Sequence, residues 1–296
     1  MSSVDGPTLA VVVDSSRLAA GIVDQNGEVL IRDRVGTPNR DVWRSLEQLV
    51  RRVMAAKPGE IPMPTVVGVS SIGPLDLQAG SVTPETMAAW SNFPLRQHLE
   101  SLTSLPVVLD SAAGAAAEAE RWIGEAVGLS SYLTLMLDQT IESACIINGV
   151  RLRGAHGNGG SLAHFAVESG GWPCGCGATG CLNMYASIAA IETEINRPLR
   201  RATDSIVERT GIMVGRAIAS AAAVFDVTTV FISGGVVDTF GDPMLESMRR
   251  EIGIRSRLES LSGLRVLEPS GLIQPLVAAA AVARLAGPDT PTDTAG

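Results

Sequence analysis

His164 and the run Cys174-Gly175-Cys176-Gly177-Ala178-Thr179-Gly180-Cys181 hold three of the chain's four cysteines and one of its three histidines. Three soft thiolates and an imidazole are a donor set that closes a tetrahedral structural zinc site. The glycines between them let the backbone turn tightly enough for the thiols to converge. The competing readings are chance clustering and a disulfide. A disulfide would leave one of the three thiols unpaired, and the first residues lack the basic-then-apolar layout of an export signal. Cys145, inside the apolar run Ala144-Cys145-Ile146-Ile147, reads as a small buried hydrophobe.

Positioning such a cluster requires a framework, and the hydrophobic pattern supplies two similar halves. In the first, Leu9–Val13 and Leu18–Val23 read as strands, and the turn Asp24-Gln25-Asn26-Gly27 leads to a third strand at Glu28–Arg32. Val42, Leu46, Leu49, Val50 and Val53 share one face of a helix over Asp41–Ala56. Thr65–Ser70 and Pro106–Leu109 are further strands, the latter entering an alanine-rich helix at 111–123. The second half repeats the meander at Tyr132–Leu137 and Ser143–Ile147 with an Asn148-Gly149 turn. A long helix at 203–225, a strand at Thr229–Ile232, the turn Ser233-Gly234-Gly235 and a last helix at 275–286 follow. The repeated order predicts an α/β protein of two related lobes. The lobes are expected at 1–115, completed by the returning helix 275–286, and at 116–274, with 287–296 as a disordered tail.

Composition narrows the function classes. The chain has 296 residues, 46% hydrophobic and 18% charged, which is ample for a large buried core. A net charge of −8 argues against a phosphate-backbone footprint, so no nucleic-acid partner is expected. Aromatic residues at 4% advertise no stacking platform. The apolar stretch 275–286 is too short to span a membrane, and the expected location is the cytoplasm.

The cluster and its setting resemble the ROK family of sugar kinases, sugar-responsive repressors and related proteins. The resemblance runs from about residue 9 to 287, and its most specific part extends from Arg153-Gly154-Ala155 through His164 to Cys181-Leu182. It implies an actin-like, ribonuclease H-like two-lobed fold with sites for a sugar and for ATP with Mg²⁺. It also implies that His164, Cys174, Cys176 and Cys181 ligate zinc, and that the chain forms a homodimer.

The family's reactive parts, carried over position by position, are largely replaced. Its opening phosphate loop, D-[IL]-G-G-T, falls on Val12-Val13-Asp14-Ser15-Ser16, so a valine stands at the metal-organising acid. Its second loop, G-T-G-I-G-G-G, falls on Asp138-Gln139-Thr140-Ile141-Glu142-Ser143-Ala144, with every glycine gone and two acids added. Glycines admit phosphate oxygens close to the backbone, whereas side chains obstruct them and carboxylates repel them. In Pro106–Ala115 the family's catalytic Asp falls on Ala112 and its preceding Asn on Ser111, while Asp110 stands two positions earlier. Two residues of strand is several ångströms, too far for a base that needs hydrogen-bond reach. Of the sugar ligands, one Glu has become Ser161 and another Asn183, with His164 beside them. Gly234 and Gly235 resemble the adenosine-side turn, although two glycines after a strand also read as plain architecture.

The expectation is therefore a zinc-holding ROK protein that binds a small-molecule sugar or regulates, without acting as an enzyme. ATP and Mg²⁺ are doubtful cofactors on this reading. One alternative is an active ATP-dependent kinase of a hexose or N-acetylhexosamine with Asp110 as base. The other is the sensor part of a sugar-responsive transcriptional regulator. The eight residues before the first strand are too few for a recognition helix and its partners, so direct DNA binding is not expected.

Overall fold

The computed structural model describes residues 6–56, 58–84, 87 and 89–286. The chain divides into two compact units. One comprises the chain up to Gly128, the short stretch Arg153–Asn158 and the chain from Ser270 onward; the other comprises Leu129–Leu152 and Gly159–Pro269.

The first unit opens with β1 (Thr8–Val13), β2 (Arg17–Val23) and β3 (Val29–Gly36), an antiparallel meander. Then come α1 (Val42–Ala55), β4 (Val66–Ser71), the small hairpin of β5 (Leu75–Asp76) and β6 (Ser81–Val82), α2 (Leu95–Thr103), β7 (Val107–Ser111) and α3 (Ala112–Ile123). The sheet order is β3-β2-β1-β4-β7, with β4 parallel to both β1 and β7. β1 is buried along its whole length, which explains its unbroken apolar run. The five helical-face residues read from the sequence in α1 are its buried residues.

The second unit repeats the plan. β8 (Tyr132–Leu137), β9 (Ile141–Ile147) and β10 (Val150–Arg151) form the meander, joined by a turn in which both Asn148 and Gly149 have positive φ. That conformation is why an Asn-Gly pair closes this hairpin. The helices α4 (Asn183–Ala186), α5 (Ile188–Ile195) and α6 (Asp204–Phe225) precede β11 (Thr229–Ser233), α7 (Gly235–Arg255) and β12 (Arg265–Leu267). The order β10-β9-β8-β11-β12 matches that of the first sheet, strand for strand. The chain then returns to the first unit as α8 (Pro275–Ala286).

Several expectations are corrected. The boundary falls at Gly128 rather than 115, because α3 packs on α8: Ala115 and Ala119 share a buried cluster with Ala278, Ala281 and Ala283. Small side chains on both helices allow that close approach. The third strand runs to Gly36 instead of stopping at Arg32. Gly235 is not part of a turn but the first residue of α7, a helix hidden from sequence by the break at Gly241 and by Pro243. The stretch 287–296, expected to be a disordered tail, lies outside the described residues. Among the described residues no helix is long and apolar enough to cross a membrane.

Candidate functional site

His164, Cys174, Cys176 and Cys181 come together in the second unit, with their ligand atoms all within 4.8 Å of one another. The Nδ1 of His164 lies 3.6 Å from the Cys174 sulfur, and the Cys176 and Cys181 sulfurs are 3.7 Å apart. A tetrahedron with zinc–sulfur bonds of about 2.3 Å has sulfur–sulfur edges near 3.8 Å, whereas a disulfide requires about 2.05 Å. All four cysteines are free, so the donor set fits zinc and excludes the disulfide reading. Burial, reinforced by the neighbouring thiols, pushes the Cys181 thiol up to about 12, while a backbone N–H from Ala178 holds Cys176 below its ordinary value. A cation among them would favour the thiolates that ligation requires.

The backbone around the donors is closely tied. Cys174 N–H donates to the Ala178 carbonyl at 2.8 Å and Gly177 N–H to the Cys174 carbonyl at 2.9 Å, closing a knuckle around Cys176. Val167 and Leu182 N–H donate to the carbonyls of Gly180 and Phe165, bridging the segment before the knuckle to the one after it. Gly180 has φ +74°, and a Cβ there would overlap the Glu168 carbonyl oxygen, so no other residue fits. Outside the knuckle, Trp172 stacks on Tyr185 with ring centroids 4.8 Å apart, and Trp172 N–H donates to the Tyr185 hydroxyl. Cys145 is fully buried with its thiol pushed up to about 11 by burial, as its apolar setting implied.

The β8–β9 hairpin carries side chains where the sequence resemblance places glycines, and three of its residues bond within the unit. The buried Ser143 hydroxyl donates to the Gly160 carbonyl at 2.8 Å and accepts from Leu162 N–H at 2.6 Å. It therefore pins the loop that carries Ser161, which is itself exposed. Ile141 N–H donates to the Asn183 side-chain oxygen at 3.0 Å, so this candidate sugar ligand holds the hairpin. The Asp138 carboxylate accepts from Gln139 N–H at 2.9 Å and from Gly235 N–H at 3.4 Å. Gly234 precedes it with φ +108° at the N-terminal end of α7. A carboxylate thus faces the N-terminal turn of α7, the short helical segment that precedes the break at Gly241.

In the first unit, Val12 is 8% exposed and packs among Ala10, Leu276 and Ala280, a hydrophobic setting that no metal-organising acid would share. Asp110 is completely buried, and its Oδ1 accepts from Ser111 N–H at 2.7 Å. A Cβ on Gly114 would overlap that carboxylate, which lies tucked under the first turn of α3. Ser111 caps α3, accepting from Gly114 N–H at 3.0 Å, so its hydroxyl has a structural task. Ala112 follows as the first residue of the helix. Burial raises the Glu118 carboxyl despite Arg121 at 2.5 Å, and the charge of Asp110 adds to the rise.

A model of the ROK family matches residues 8–260, most of the chain. The chain belongs to the ROK family. It is 30% identical to a glucokinase of Halalkalibacterium halodurans over 62% of its own length and 65% of that protein's, just under two thirds. Among solved structures, a ROK hexokinase from Thermus thermophilus matches with TM-score 0.79 and 29% identity, covering 95% of this chain and 98% of that one. A ROK family transcriptional regulator, described as a homologue of the E. coli MLC protein, matches with TM-score 0.81 and 20% identity, covering 95% and 78%. The last likeness is one of fold alone. The actin-like α/β fold of ROK kinases is thereby established for this chain.

Of the ROK site residues expected from the sequence, the four clasp donors converge, and Ser161, His164 and Asn183 lie in the same unit as Gly234 and Gly235. Asp110 and Ser111 belong to the other unit. Sequence reasoning missed Ser143 as an organising residue. Its signal is a polar residue in an otherwise apolar strand, but its partners lie 17 and 19 positions away.

Proposed function

We propose that this ROK chain is a sugar-binding or regulatory protein that performs no phosphoryl transfer. The observation that supports this most is the Asp138 carboxylate bonded to Gly235 N–H at the start of α7. A helix N-terminus is a natural anion site, and here a side chain of the protein takes it where the family has glycine. Ser143 adds to the case, since its hydroxyl fills space that a glycine would leave to a ligand. Ala112 at the family's base position cannot accept a proton, and loss of a general base alone removes a factor of roughly 10²–10⁴. On this reading zinc at the clasp is structural, and Ser161 and His164 remain beside the sugar position. The homodimer implied by the resemblance and the cytoplasmic location expected from the sequence belong to the same reading.

A second reading, an active sugar kinase with Asp110 as base, is favoured by the 30% identity to a glucokinase. The complete burial of Asp110 and its bond to Ser111 N–H speak against it, because a base must reach the substrate hydroxyl. A coupled ADP-release assay with Mg²⁺ and ATP across glucose, N-acetylglucosamine and N-acetylmannosamine separates the two. The proposal expects no turnover above the protein-free background. Robust turnover that vanishes in Asp110→Asn would overturn it.

A further inference from the structure

We infer that the α8-facing side of the β2–β3 ribbon binds a small phosphate monoester through Arg17, Arg32 and Arg34, without a metal ion. This goes beyond the reading above and holds whether or not the chain transfers phosphoryl groups. The register is what assembles the cluster. Arg34 is opposite Ala19, Arg32 is opposite Gly21 and Arg17 is opposite Gly36, so all three share one face and each meets a residue with little or no side chain. Arg32 and Arg34 are two residues apart on one strand, and Arg17 is a diagonal neighbour of Arg34, about 7–8 Å away and within reach of long side chains. Three guanidinium groups therefore project from one patch with open space between them.

That space is a cavity of about 550 Å³, lined besides the arginines by apolar residues, by Ser16 and Gln274 and by the carboxylates of Asp14 and Asp33. Val12, Ala19 and Leu276 give it an apolar floor, since these residues pack together beneath the ribbon. Gly21 keeps the floor low, because a Cβ there would press on the Leu276 side chain and the Ile31 carbonyl oxygen. The first turn of α8, at Pro275, adds the positive end of a helix to the rim.

The charge is also uncommitted. Among the described residues none of the three arginines is in an ion pair. Two carboxylates, Asp14 and Asp33, also line the cavity, and each already has a partner. Asp33, between Arg32 and Arg34, pairs with Arg52 at 2.8 Å. Asp14 accepts from the N–H and hydroxyl of Ser16 at 2.8 and 2.7 Å. Like charges at neighbouring cross-strand positions repel. Three of them on one patch of a chain with net charge −8 form a local field that an anion would neutralise. A phosphate monoester, with up to two charges and three acceptor oxygens, matches three planar guanidinium forks better than a single carboxylate does.

Isothermal titration of zinc-replete protein in buffer without Mg²⁺ or ATP tests the site, using glucose 6-phosphate, inorganic phosphate, glucose and acetate as probes. Glucose 6-phosphate and phosphate are expected to bind with Kd of roughly 1 mM or tighter, weakening as salt is added. Glucose should not displace them. The double variant R32A/R34A is expected to weaken both at least about tenfold while keeping the wild-type Tm; Arg17→Ala, a single change, should weaken them less. Three results would overturn the inference: no heat from either phosphate probe at about 10 mM, unchanged affinity in R32A/R34A, or acetate binding as tightly as phosphate.

Discussion

The clasp at 164–181 and the hairpin at 138–144 belong to one unit, and Ser143 ties the hairpin to the loop at 160–162 just ahead of the clasp, yet they differ in what they retain. The clasp brings together the four residues that could hold a zinc ion, with ligand atoms within 4.8 Å of one another and a backbone that only glycine permits at 180. The hairpin retains its strand pairing but none of the glycines the family uses for phosphate. Its new side chains bond to Gly160, Leu162 and Gly235 instead. The contrast separates two demands on one sheet. In the proposed reading the clasp holds the fold together, while the hairpin's side chains are used for internal hydrogen bonding rather than for admitting a triphosphate.

The comparison can be broken most readily at the clasp. Cys181→Ser, or removal of zinc by a strong chelator, should lower Tm by about 10 °C or more, because a structural site contributes folding energy directly. An unchanged Tm in differential scanning calorimetry would mean that the clasp holds nothing. Gly180→Ala comes next. Its strained φ and the overlap with Glu168 should cost roughly 2–3 kcal/mol, read as a shift in the urea midpoint with unchanged m-value. Ser143→Ala sharpens the other side: two partners of a buried hydroxyl would be orphaned, for about 1–3 kcal/mol. If that variant were neutral, the hairpin's internal bonding would carry no weight. The smallest effect is expected from Asp138→Asn, an exposed cap with a long 3.4 Å bond to Gly235. Its stability change should stay under about 1 kcal/mol and shrink further with salt.

Legibility from sequence followed the range of the interaction. β1 could be read because a strand buried on both faces is an unbroken apolar run, β8 because it is mostly apolar, and the α1 face because its periodicity is local. The candidate zinc donors were legible because their chemistry resides in residue type. The helix α7 was not, since Gly241 and Pro243 disrupt its pattern and tertiary packing, chiefly against α6, sustains it. Asp110 illustrates the same limit. Its position beside the family's base could be counted along the chain, but its burial under α3 depends on Gly114 and on the closure of the helix over it. The use of Asn183 to hold Ile141 likewise joins residues 42 positions apart.

The central claim is that the hairpin's own side chains occupy the place of a nucleotide's phosphates. Isothermal titration of Mg²⁺–ATP into zinc-replete protein tests it most directly. The account predicts no measurable heat up to about 1 mM nucleotide, with or without glucose present. A saturable isotherm with Kd in the range of about 1–100 μM would contradict it.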